Sequence, residues 1–461
     1  MLLSTIVPIP KDKRKSLINS NNYRSIALSS VIGTVFDNVI LVSQTEILPS
    51  NNSQIGFKTH HSTTQCTFVL QETIDYFVSK GSPCYVILLD ASKAFDRVHY
   101  GKLFEILRDR GLCPTLSKLL LNMYVNQKLR VRWNDTLSQQ FDCRNGVKQG
   151  AVLSPILFCV YMDELLRRLK KSNYGCHIGT HYLGAVSYAD DLTLIAPSLS
   201  AAREMLKICQ KFSEEYHVQF NSQKSKLLTY GTNKTAFDLK LNNNTIPHVN
   251  VAKHLGNYIG NVSNKRNIEN ACREIKVKTN MIITQFRFCN SYLKSKLFSL
   301  YCNVFYGSSL WNLNVRCIDS LCVTWRKCVR LLCGLDSRAR SWILPFLIHQ
   351  LPVNEMLLLR FGLFLKNCLC SVNRILQFVS RMSVFSSSIV GCNFRLLMYK
   401  MNINSQDMYD INTHCFSARR IFLDNYHKQS RSAIDVIEFA KELIKIRDGE
   451  YHSVIGRNEA I

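Results

Sequence analysis

The chain has 461 residues, of which 46% are hydrophobic and 10% aromatic, a composition that excludes a disordered or collagen-like protein. Its 58 Lys and Arg residues exceed its 33 Asp and Glu residues, and the net charge of +25 indicates a polyanionic partner. Most of the excess lies in residues 251–400, which hold 21 basic and 5 acidic side chains. Such a block favours a nucleic-acid surface over a merely solvated face, and anionic lipid is a more distant alternative.

The sequence predicts neither export nor a membrane anchor. The charges of MLLSTIVPIPKDKRK follow a short apolar stretch interrupted by Pro8 and Pro10, the reverse of a secretory signal. Polar residues interrupt the apolar stretches 26–48 and 343–370, so neither supplies the ~18 apolar residues that span a bilayer. We therefore expect a soluble intracellular protein of the cytoplasm or nucleus, with its 18 cysteines reduced.

The first half of the chain alternates strand-like runs with amphipathic helical stretches. Ser62 is a suitable N-cap for a helix, and the apolar run CYVILLD at 84–90 predicts a buried strand that ends in an acid. Helices are expected near 101–110 and 114–126. This alternation predicts a mixed domain of helices and strands that ends near residue 260.

The next stretch continues the same alternation. Short strands are expected near 129–134 and 140–145, and Pro155 opens a helix because proline is favoured in a first helical turn. The segment HYLGAVSYADDLTLIA at 181–196 predicts two strands joined at Ala189-Asp190-Asp191. After residue 264 the pattern is almost wholly helical up to about residue 400.

Three carboxylates stand at the ends of predicted strands, Asp90 after the first and Asp190 with Asp191 in the later turn. If the two strands are neighbours, these side chains meet, and burying them is costly unless a cation compensates their charge. Carboxylates suit Mg²⁺, and two ions ~4 Å apart support in-line phosphoryl displacement. The pattern favours nucleotidyl transfer, although a single acid after a strand is often only a turn former.

Several sequence blocks occur in a characteristic order: IPK (9–11), NYRSIALSS (22–30), QIGFKTHHSTTQ (54–65), LLDASKAFDRV (88–98), NGVKQGAVLSP (145–155), YADD (188–191), FNSQKSKL (220–227) and KHLGNYIG (253–260). In this order they resemble the reverse transcriptase domain of non-LTR (LINE-type) retrotransposons. The resemblance covers about residues 4–260 and extends more weakly through 261–370.

The resemblance implies an α+β right-hand polymerase. Fingers and a palm with an antiparallel sheet would occupy 1–260, a helical thumb 261–335, and an all-helical region of unknown role 336–461. The implied activity is RNA-directed DNA synthesis, in which dNTPs are added to a DNA 3′-hydroxyl with two Mg²⁺ ions, or Mn²⁺. Template RNA, primer DNA and dNTPs would be the partners, without a membrane.

The resemblance also implies roles for single residues. Asp90, Asp190 and Asp191 would form the metal-binding catalytic triad, and Phe95 would block a 2′-hydroxyl. Lys224 would be a general acid near the pyrophosphate, with Lys226 as the alternative. Lys11, Arg24, Phe95, Gln149 and Gly150 would form the dNTP pocket, and Leu255 and Gly256 the primer grip.

The helical pattern after Asn264 carries basic residues that would contact the nucleic-acid backbone. At ~100° per residue, a continuous helix places four of them within ~80° of one another. They are Arg266, Arg273, Lys276 and Arg287, whereas Lys278 and Lys296 fall on the far side. Phosphate contacts of this kind would set affinity without reading sequence.

Some features depart from the family pattern or leave alternatives open. Ser25 stands where proline is usual, and Ala151-Val152 follows Gln-Gly. The cysteines after Cys317 lack a C-x₂-C pair, which favours core packing over zinc. The chain resembles an N-terminally truncated polyprotein without an endonuclease. A catalytically weak or inactive RNA-binding remnant, a viral-type RNA polymerase, which Phe95 opposes, and a group II intron maturase are the alternatives.

Overall fold

A computed structural model of the chain describes residues 3–232 and 238–402, which divide after Asn250 into two compact units. The division comes before the hairpin at Val251–Gly260, which the sequence pattern had joined to the first domain. Part of the predicted C-terminal region, 403–461, lies outside the described residues.

The first unit combines strands and helices. Its strands are β1 (Leu3–Pro10), β2 (Tyr23–Leu28), β3 (Cys84–Leu89), β4 (Lys128–Trp133), β5 (Thr136–Leu137), β6 (Phe141–Asp142), β7 (His177–Ile178), β8 (His181–Tyr182), β9 (Ala185–Tyr188), β10 (Asp191–Ala196), β11 (Lys226–Tyr230), β12 (Lys240–Leu241) and β13 (Asn244–Thr245). Its helices are α1 (Val31–Ser43), α2 (Thr63–Ser79), α3 (Tyr100–Asp109), α4 (Pro114–Val125), α5 (Ser154–Lys171) and α6 (Leu199–Tyr216), with 3₁₀ turns at Ser20–Asn22 and Phe95–Arg97.

The central sheet of this unit has the strand order β11-β3-β10-β9, with every pair antiparallel. Every residue of β3 is buried, as its continuous apolar sequence predicts. Helices α2, α5 and α6 contact the sheet. Burial of a large apolar side chain stabilises a fold by ~1.5–3 kcal/mol, so this packing holds the strand ends firmly in place.

A second sheet joins segments that are far apart in the chain. Its order is β2-β1-β4-β5, and β6 pairs with the other part of β4. β1 runs antiparallel to β2 and parallel to β4. Arg24 on β2 is thereby fixed opposite Ile9 on β1.

Local sequence signals set the helix ends. The Ser62 hydroxyl accepts a hydrogen bond from the Gln65 backbone N–H, and the Gln65 side chain accepts one from Ser62, a capping box at the start of α2. Pro155 lies in the first turn of α5, as predicted. The strand expected near 140–145 is shorter, because only Phe141–Asp142 pairs with β4.

The second unit begins with a hairpin and continues as helices. Its elements are β14 (Val251–His254), β15 (Asn257–Gly260), α7 (Ser263–Gln285), α8 (Ser291–Tyr301), α9 (Cys317–Cys333), α10 (Leu344–Leu347), α11 (Val353–Leu369), α12 (Arg374–Val384) and α13 (Ile389–Lys400), with a 3₁₀ turn at Ser308–Leu310. Its core is built around Ile268, Phe298, Leu321, Trp325 and Leu357. The predicted α+β class, with an antiparallel sheet and a helical C-terminal region, is confirmed.

We find no single helix in the two described stretches that is both long and apolar enough to cross a bilayer. The bent pair Arg374–Val384 and Ile389–Lys400, at an angle of 65°, meets the length and composition criteria only when both helices are taken together.

Candidate active site

Strand register brings the three predicted carboxylates to one end of the central sheet. Leu192 pairs with Leu89 across β10 and β3, so the next position of this antiparallel ladder places Asp191 beside Asp90. Asp191 also pairs with Tyr188 across the hairpin. The turn itself is Ala189 and Asp190, because Asp191 is already the first residue of β10, one residue earlier than the sequence pattern suggests.

The charges of the three carboxyls influence one another, as their proximity requires. Loss of solvation raises the pKa of Asp190, as does the charge of Asp90, whereas the Arg24 guanidinium lowers it. Asp191 as a whole is exposed to solvent, yet desolvation of its carboxyl by nearby protein and the charges of Asp190 and Asp90 raise its pKa to about 6. A carboxyl whose pKa is raised in this way ionises more readily when a positively charged partner lies beside it.

The loop before β11 holds Asp90 and brings Lys224 to it. The Asp90 backbone N–H donates to the Ser225 hydroxyl at 3.2 Å, and the Asp90 carbonyl accepts from the Asn221 N–H at 2.8 Å. The Asn221 side chain accepts from the Lys224 N–H at 3.1 Å. Lys224 Nζ then lies 3.9 Å from Asp90 Oδ2, while Lys226 lies on β11 opposite Leu88.

The carboxylates match Mg²⁺ in ligand type, since hard divalent cations take oxygen donors. Their arrangement is open, because within the described ranges no three His, Cys, Asp or Glu side chains form a ready-made metal cluster. The charges of Asp90 and Asp190 repel that of Asp191, and Asp90 faces Lys224 instead. A cation would offset this repulsion, so the donors fit a metal in kind.

Phe95 lies in the 3₁₀ turn that follows Asp90 in the chain and is half-buried. Its ring stacks on Phe158 of α5, with centroids 4.6 Å apart and planes at 14°. Phe57 makes a second, edge-type contact with Phe95, with centroids 6.4 Å apart and planes at 78°. Contacts with two aromatic rings restrict the orientation of Phe95, as a steric block to a sugar hydroxyl requires.

Gln149 and Gly150 adjoin the second sheet. The Ala27 N–H donates to the Gln149 carbonyl at 2.7 Å, and the Gln149 side chain bonds Asp96. Gly150 has φ +111°, and a Cβ there would lie 3.0 Å from the Ala27 carbonyl oxygen, so this close approach requires glycine.

The two predicted triphosphate ligands differ in their surroundings. Arg24 is exposed and lies near enough to Asp190 to lower the pKa of that carboxyl. Lys11 donates to the Asn21 carbonyl at 3.0 Å. Burial raises the pKa of Asp96, and the charges of Lys93 and Lys11 partly offset that rise. The structure therefore groups Arg24 with the carboxylates and Lys11 with Asp96.

One residue near the turn received no role from sequence reasoning. The Gln54 side chain is fully buried and bonds both backbone groups of Ala189. Gln54 lies in the QIG run of a block that carries the family resemblance. The block itself gives no sign of the contact between Gln54 and Ala189. Its partners are 135 residues away in the chain, a separation that periodicity does not bridge.

Leu255 and Gly256 form the β14–β15 turn in the second unit, with φ values of +45° and +84°. The Tyr306 hydroxyl donates to the Leu255 carbonyl at 2.8 Å. A Cβ on Gly256 would lie 2.6 Å from the Tyr306 ring, so glycine is required at this position.

The predicted basic stripe is only partly correct. Arg266, Arg273 and Lys276 are exposed on α7. Arg287 lies beyond the helix, which ends at Gln285, and it contacts the Phe288 ring at 4.4 Å. A new helix begins after Asn290, whose side chain caps it, and this break invalidates the assumption of a continuous helix. Lys278 is paired with Glu274 at 3.4 Å.

Residues 9–270, more than half of the chain, match the family described as reverse transcriptase (RNA-dependent DNA polymerase). A Pol polyprotein from the type-1 retrotransposable element R2 of Nasonia vitripennis is 28% identical over 49% of this chain and 22% of its own length. The RNA-directed DNA polymerase from mobile element jockey of Drosophila funebris is 26% identical over 55% of this chain and 28% of its own.

Telomerase structures share a weaker likeness. Apo telomerase from Candida tropicalis aligns at TM-score 0.40 and 12% identity, over 82% of this chain and 69% of that one. Telomerase from Candida albicans with a fragment of telomeric RNA aligns at TM-score 0.37 and 14% identity, over 82% and 66%. Scores below 0.5 add nothing to the assignment, which rests on sequence.

The chain spans only about a quarter of the length of the curated relatives named above. Those relatives are polyproteins and polymerases of mobile elements, and they confirm the resemblance to non-LTR retrotransposons. The family match extends from the IPK block into helix α7 and contains Asp90, Asp190 and Asp191. This chain belongs to the reverse transcriptase family.

Proposed function

We propose that this chain is an RNA-directed DNA polymerase that adds dNTPs to a DNA 3′-hydroxyl by two-metal nucleotidyl transfer. The observation that carries the proposal is the register of β3 and β10, which sets Asp90 beside Asp191 and the Asp190 turn. Strand ends that concentrate negative charge against a buried sheet need a compensating cation. Mg²⁺ ions, or Mn²⁺, would activate the attacking hydroxyl and neutralise charge on the leaving phosphates.

The side chains around the carboxylates have separate tasks in this proposal. Asp90 and Asp190 hold the metals, with Asp191 in support. Arg24 binds the triphosphate, since guanidinium suits bidentate phosphate contact. Lys224 lies beside Asp90 and donates a proton to the departing pyrophosphate. Phe95 excludes a 2′-hydroxyl, so the product is DNA.

The remaining predicted residues position the substrates. Gln149 and Gly150 lie along the nascent base pair, Lys11 assists on the triphosphate side, and Leu255 and Gly256 hold the primer end. Exposed Arg266, Arg273 and Lys276 contact the backbone of template RNA and primer DNA. Residues 1–260 would serve as fingers and palm, 261–335 as thumb, and 336–461 as an appended helical region.

Extension of oligo(dT) on poly(rA) by the purified chain tests the proposal. The matched variant is Asp190→Asn with Asp191→Asn, which keeps side-chain size and removes both charges. Because metal stabilisation of phosphoryl transfer supplies several kcal/mol, incorporation is expected to fall ~10³-fold or more. Equal incorporation by the wild type and the double variant would exclude the metal mechanism. An inactive wild type that still binds poly(rA) would favour an RNA-binding remnant.

A further inference from the structure

The turn that carries Asp190 is held by the buried Gln54 side chain, together with the Ser187 hydroxyl, which donates to the Ala189 carbonyl at 2.9 Å. The Ala189 N–H donates to Gln54 Oε1 at 3.0 Å, and Gln54 Nε2 donates to the Ala189 carbonyl at 3.3 Å. Gln54 Nε2 also donates to the Ser187 hydroxyl at 3.2 Å. Gln54 thus bonds both the backbone donor and the backbone acceptor of the residue before Asp190.

Ala189 needs such support because of its backbone conformation. Its φ of +58° lies in the left-handed region, which residues other than glycine adopt at a cost of ~1–3 kcal/mol. A strained conformation of this kind persists only where surrounding structure determines it. The hydrogen bonds of the Ala189 backbone with the Gln54 side chain supply that determination with the help of the Ser187 hydroxyl, and they fix the direction in which Asp190 leaves the turn.

The segment around Gln54 lies against β9. The Ser187 N–H donates to the Ser53 carbonyl, and the Ile55 N–H donates to the Ser187 carbonyl, both at 2.8 Å. Gly56 follows so closely that a Cβ there would lie 2.5 Å from the Ala189 nitrogen. Any side chain at Gly56 would therefore push on the backbone of the turn.

A charged network anchors the residues just before Gln54 to helix α5 and to Arg110 at the end of α3. Asp163 on α5 accepts from the Asn51 N–H at 2.8 Å and pairs with Arg110 at 2.6 Å. Lys58 donates to the carbonyls of Ser50 and Asn51 at 3.0 and 2.6 Å. Burial of the amine lowers the pKa of Lys58 to about 8.

We infer that Gln54 is a positioning residue of the polymerase site. It holds Ala189 in the left-handed conformation, so that Asp190 and Asp191 stay directed at the position where nucleotidyl transfer takes place. The inference rests on the proposed function for the reaction, but the contacts that carry it concern only the Ala189 turn. Gln54 is fully buried, so it acts through the turn that carries Asp190.

Two variants remove the support in different ways. Gln54→Met keeps the length of the side chain and removes every hydrogen bond of the amide, and Gly56→Ala keeps Gln54 and adds a methyl group against Ala189. Gln65→Met is the matched control, because it removes another buried glutamine, from the capping box of α2, and leaves the contacts to Ala189 in place. All three are made in the full chain.

Three readouts separate positioning from simple loss of stability. Hydrogen exchange of the Ala189 amide reports the turn directly, Mn²⁺ titration by electron paramagnetic resonance reports the carboxylates, and primer extension gives kcat and the KM for dTTP. Outer residues that orient metal ligands typically contribute 10–100-fold to metal affinity or activity. We expect Gln54→Met and Gly56→Ala to exchange faster at Ala189 and to lose ~10–100-fold in Mn²⁺ affinity and kcat, with KM unchanged.

Gln65→Met is expected to unfold at lower temperature while keeping wild-type Mn²⁺ affinity, kcat and Ala189 protection. Wild-type values of Ala189 exchange and Mn²⁺ affinity in folded Gln54→Met would overturn the inference, as would equal losses in Gln65→Met. If the wild-type chain fails to extend primers, the proposed function fails. Exchange at Ala189 and Mn²⁺ binding still decide the role of Gln54 in that case.

Discussion

The two units use charge in opposite ways. The first unit gathers three carboxylates by strand register, and its Gln54 and Asn221 contacts fix individual backbone groups around them. In residues 251–400, by contrast, 21 basic and 5 acidic side chains are carried mainly on helices, and Arg266, Arg273 and Lys276 of α7 are exposed. We therefore expect chemistry in the first unit to depend on exact position and binding by the second to depend on the number of charges.

The strongest test of positional dependence is Lys224→Ala. General acid catalysis contributes ~10²–10⁴-fold, so kcat should fall by at least ~10² while the Kd for template-primer stays unchanged. Lys226→Ala is the matched control, because that lysine lies on β11 of the same unit. Single-nucleotide incorporation, followed by rapid quench at varied template-primer concentration, measures kcat and the Kd for each variant. A larger loss in Lys226→Ala would transfer the proton-donor role to that residue.

Dependence on charge number is tested by replacing Arg266, Arg273 and Lys276 together with Gln. Each lost phosphate contact lowers the slope of log K against log salt by ~1, so affinity near 150 mM salt should fall ~10²-fold. The rate at saturating template should stay unchanged, because these residues take no part in the chemistry. Lys278→Gln is the control, since Glu274 already pairs with that lysine. An unaltered salt slope in the triple variant would remove α7 from the binding surface.

Phe95→Val tests position at the sugar. A smaller side chain should admit a 2′-hydroxyl, and rNTP incorporation relative to dNTP should rise ~10-fold or more, in the range that steric pocket changes produce. Phe57→Val is matched to it, because it removes the partner ring that packs on Phe95 without opening the place of Phe95 itself. Competition between dTTP and UTP on poly(rA) measures the ratio. Equal ratios in both variants would assign Phe95 to packing.

Sequence and structure agree where a pattern is local and differ where a contact is distant. The run at 84–90 predicts a strand that ends in an acid, and the run at 181–196 predicts two strands joined at an acidic turn. Ser62 and Pro155 predict helix starts that the structure confirms. Periodicity does not tell which strands are neighbours; that came from the family resemblance. The contact of Gln54 with Ala189 depends on tertiary packing that no period encodes.

The failure at Arg287 has a local cause that the sequence does contain. Asn290 is a strong N-cap residue, and its side chain accepts from the Leu293 N–H at 2.9 Å to open α8. A helix that starts there requires the preceding helix to end earlier, and α7 does end at Gln285. Arg287 lies between the end of α7 and the Asn290 cap, so steps of 100° per residue do not extend to it, and it shares no helix face with Arg266, Arg273 and Lys276.

Lowering the pH should destabilise the second unit through His254, which lies in the strand before the Leu255 turn. Burial lowers the pKa of His254 to about 4, so the unfolded chain binds more protons than the folded one between about pH 4 and 6.5. Stability of this unit should fall by ~1–2 kcal/mol as pH drops through that window, after allowance for residual solvent access. Fluorescence of buried Trp311 and Trp325 follows the unfolding. A wild-type pH slope in His254→Gln would contradict the assignment.

Over a similar pH range, the stability of the first unit should change in the opposite direction. Burial raises the pKa of Asp75 on α2 to about 6, so the folded state binds more protons than the unfolded state, and stability falls as pH rises from about 4 to 6. Asp75→Asn removes the buried charge and should stabilise the unit by ~1–2 kcal/mol at pH 7, again after allowance for residual solvation. Hydrogen exchange of β3 amides at pH 5 and 7 measures the effect. Asp109→Asn, an exposed carboxyl on α3, is the control. If Asp75→Asn were destabilising at pH 7, the buried carboxylate would have to be held by partners that outweigh its desolvation.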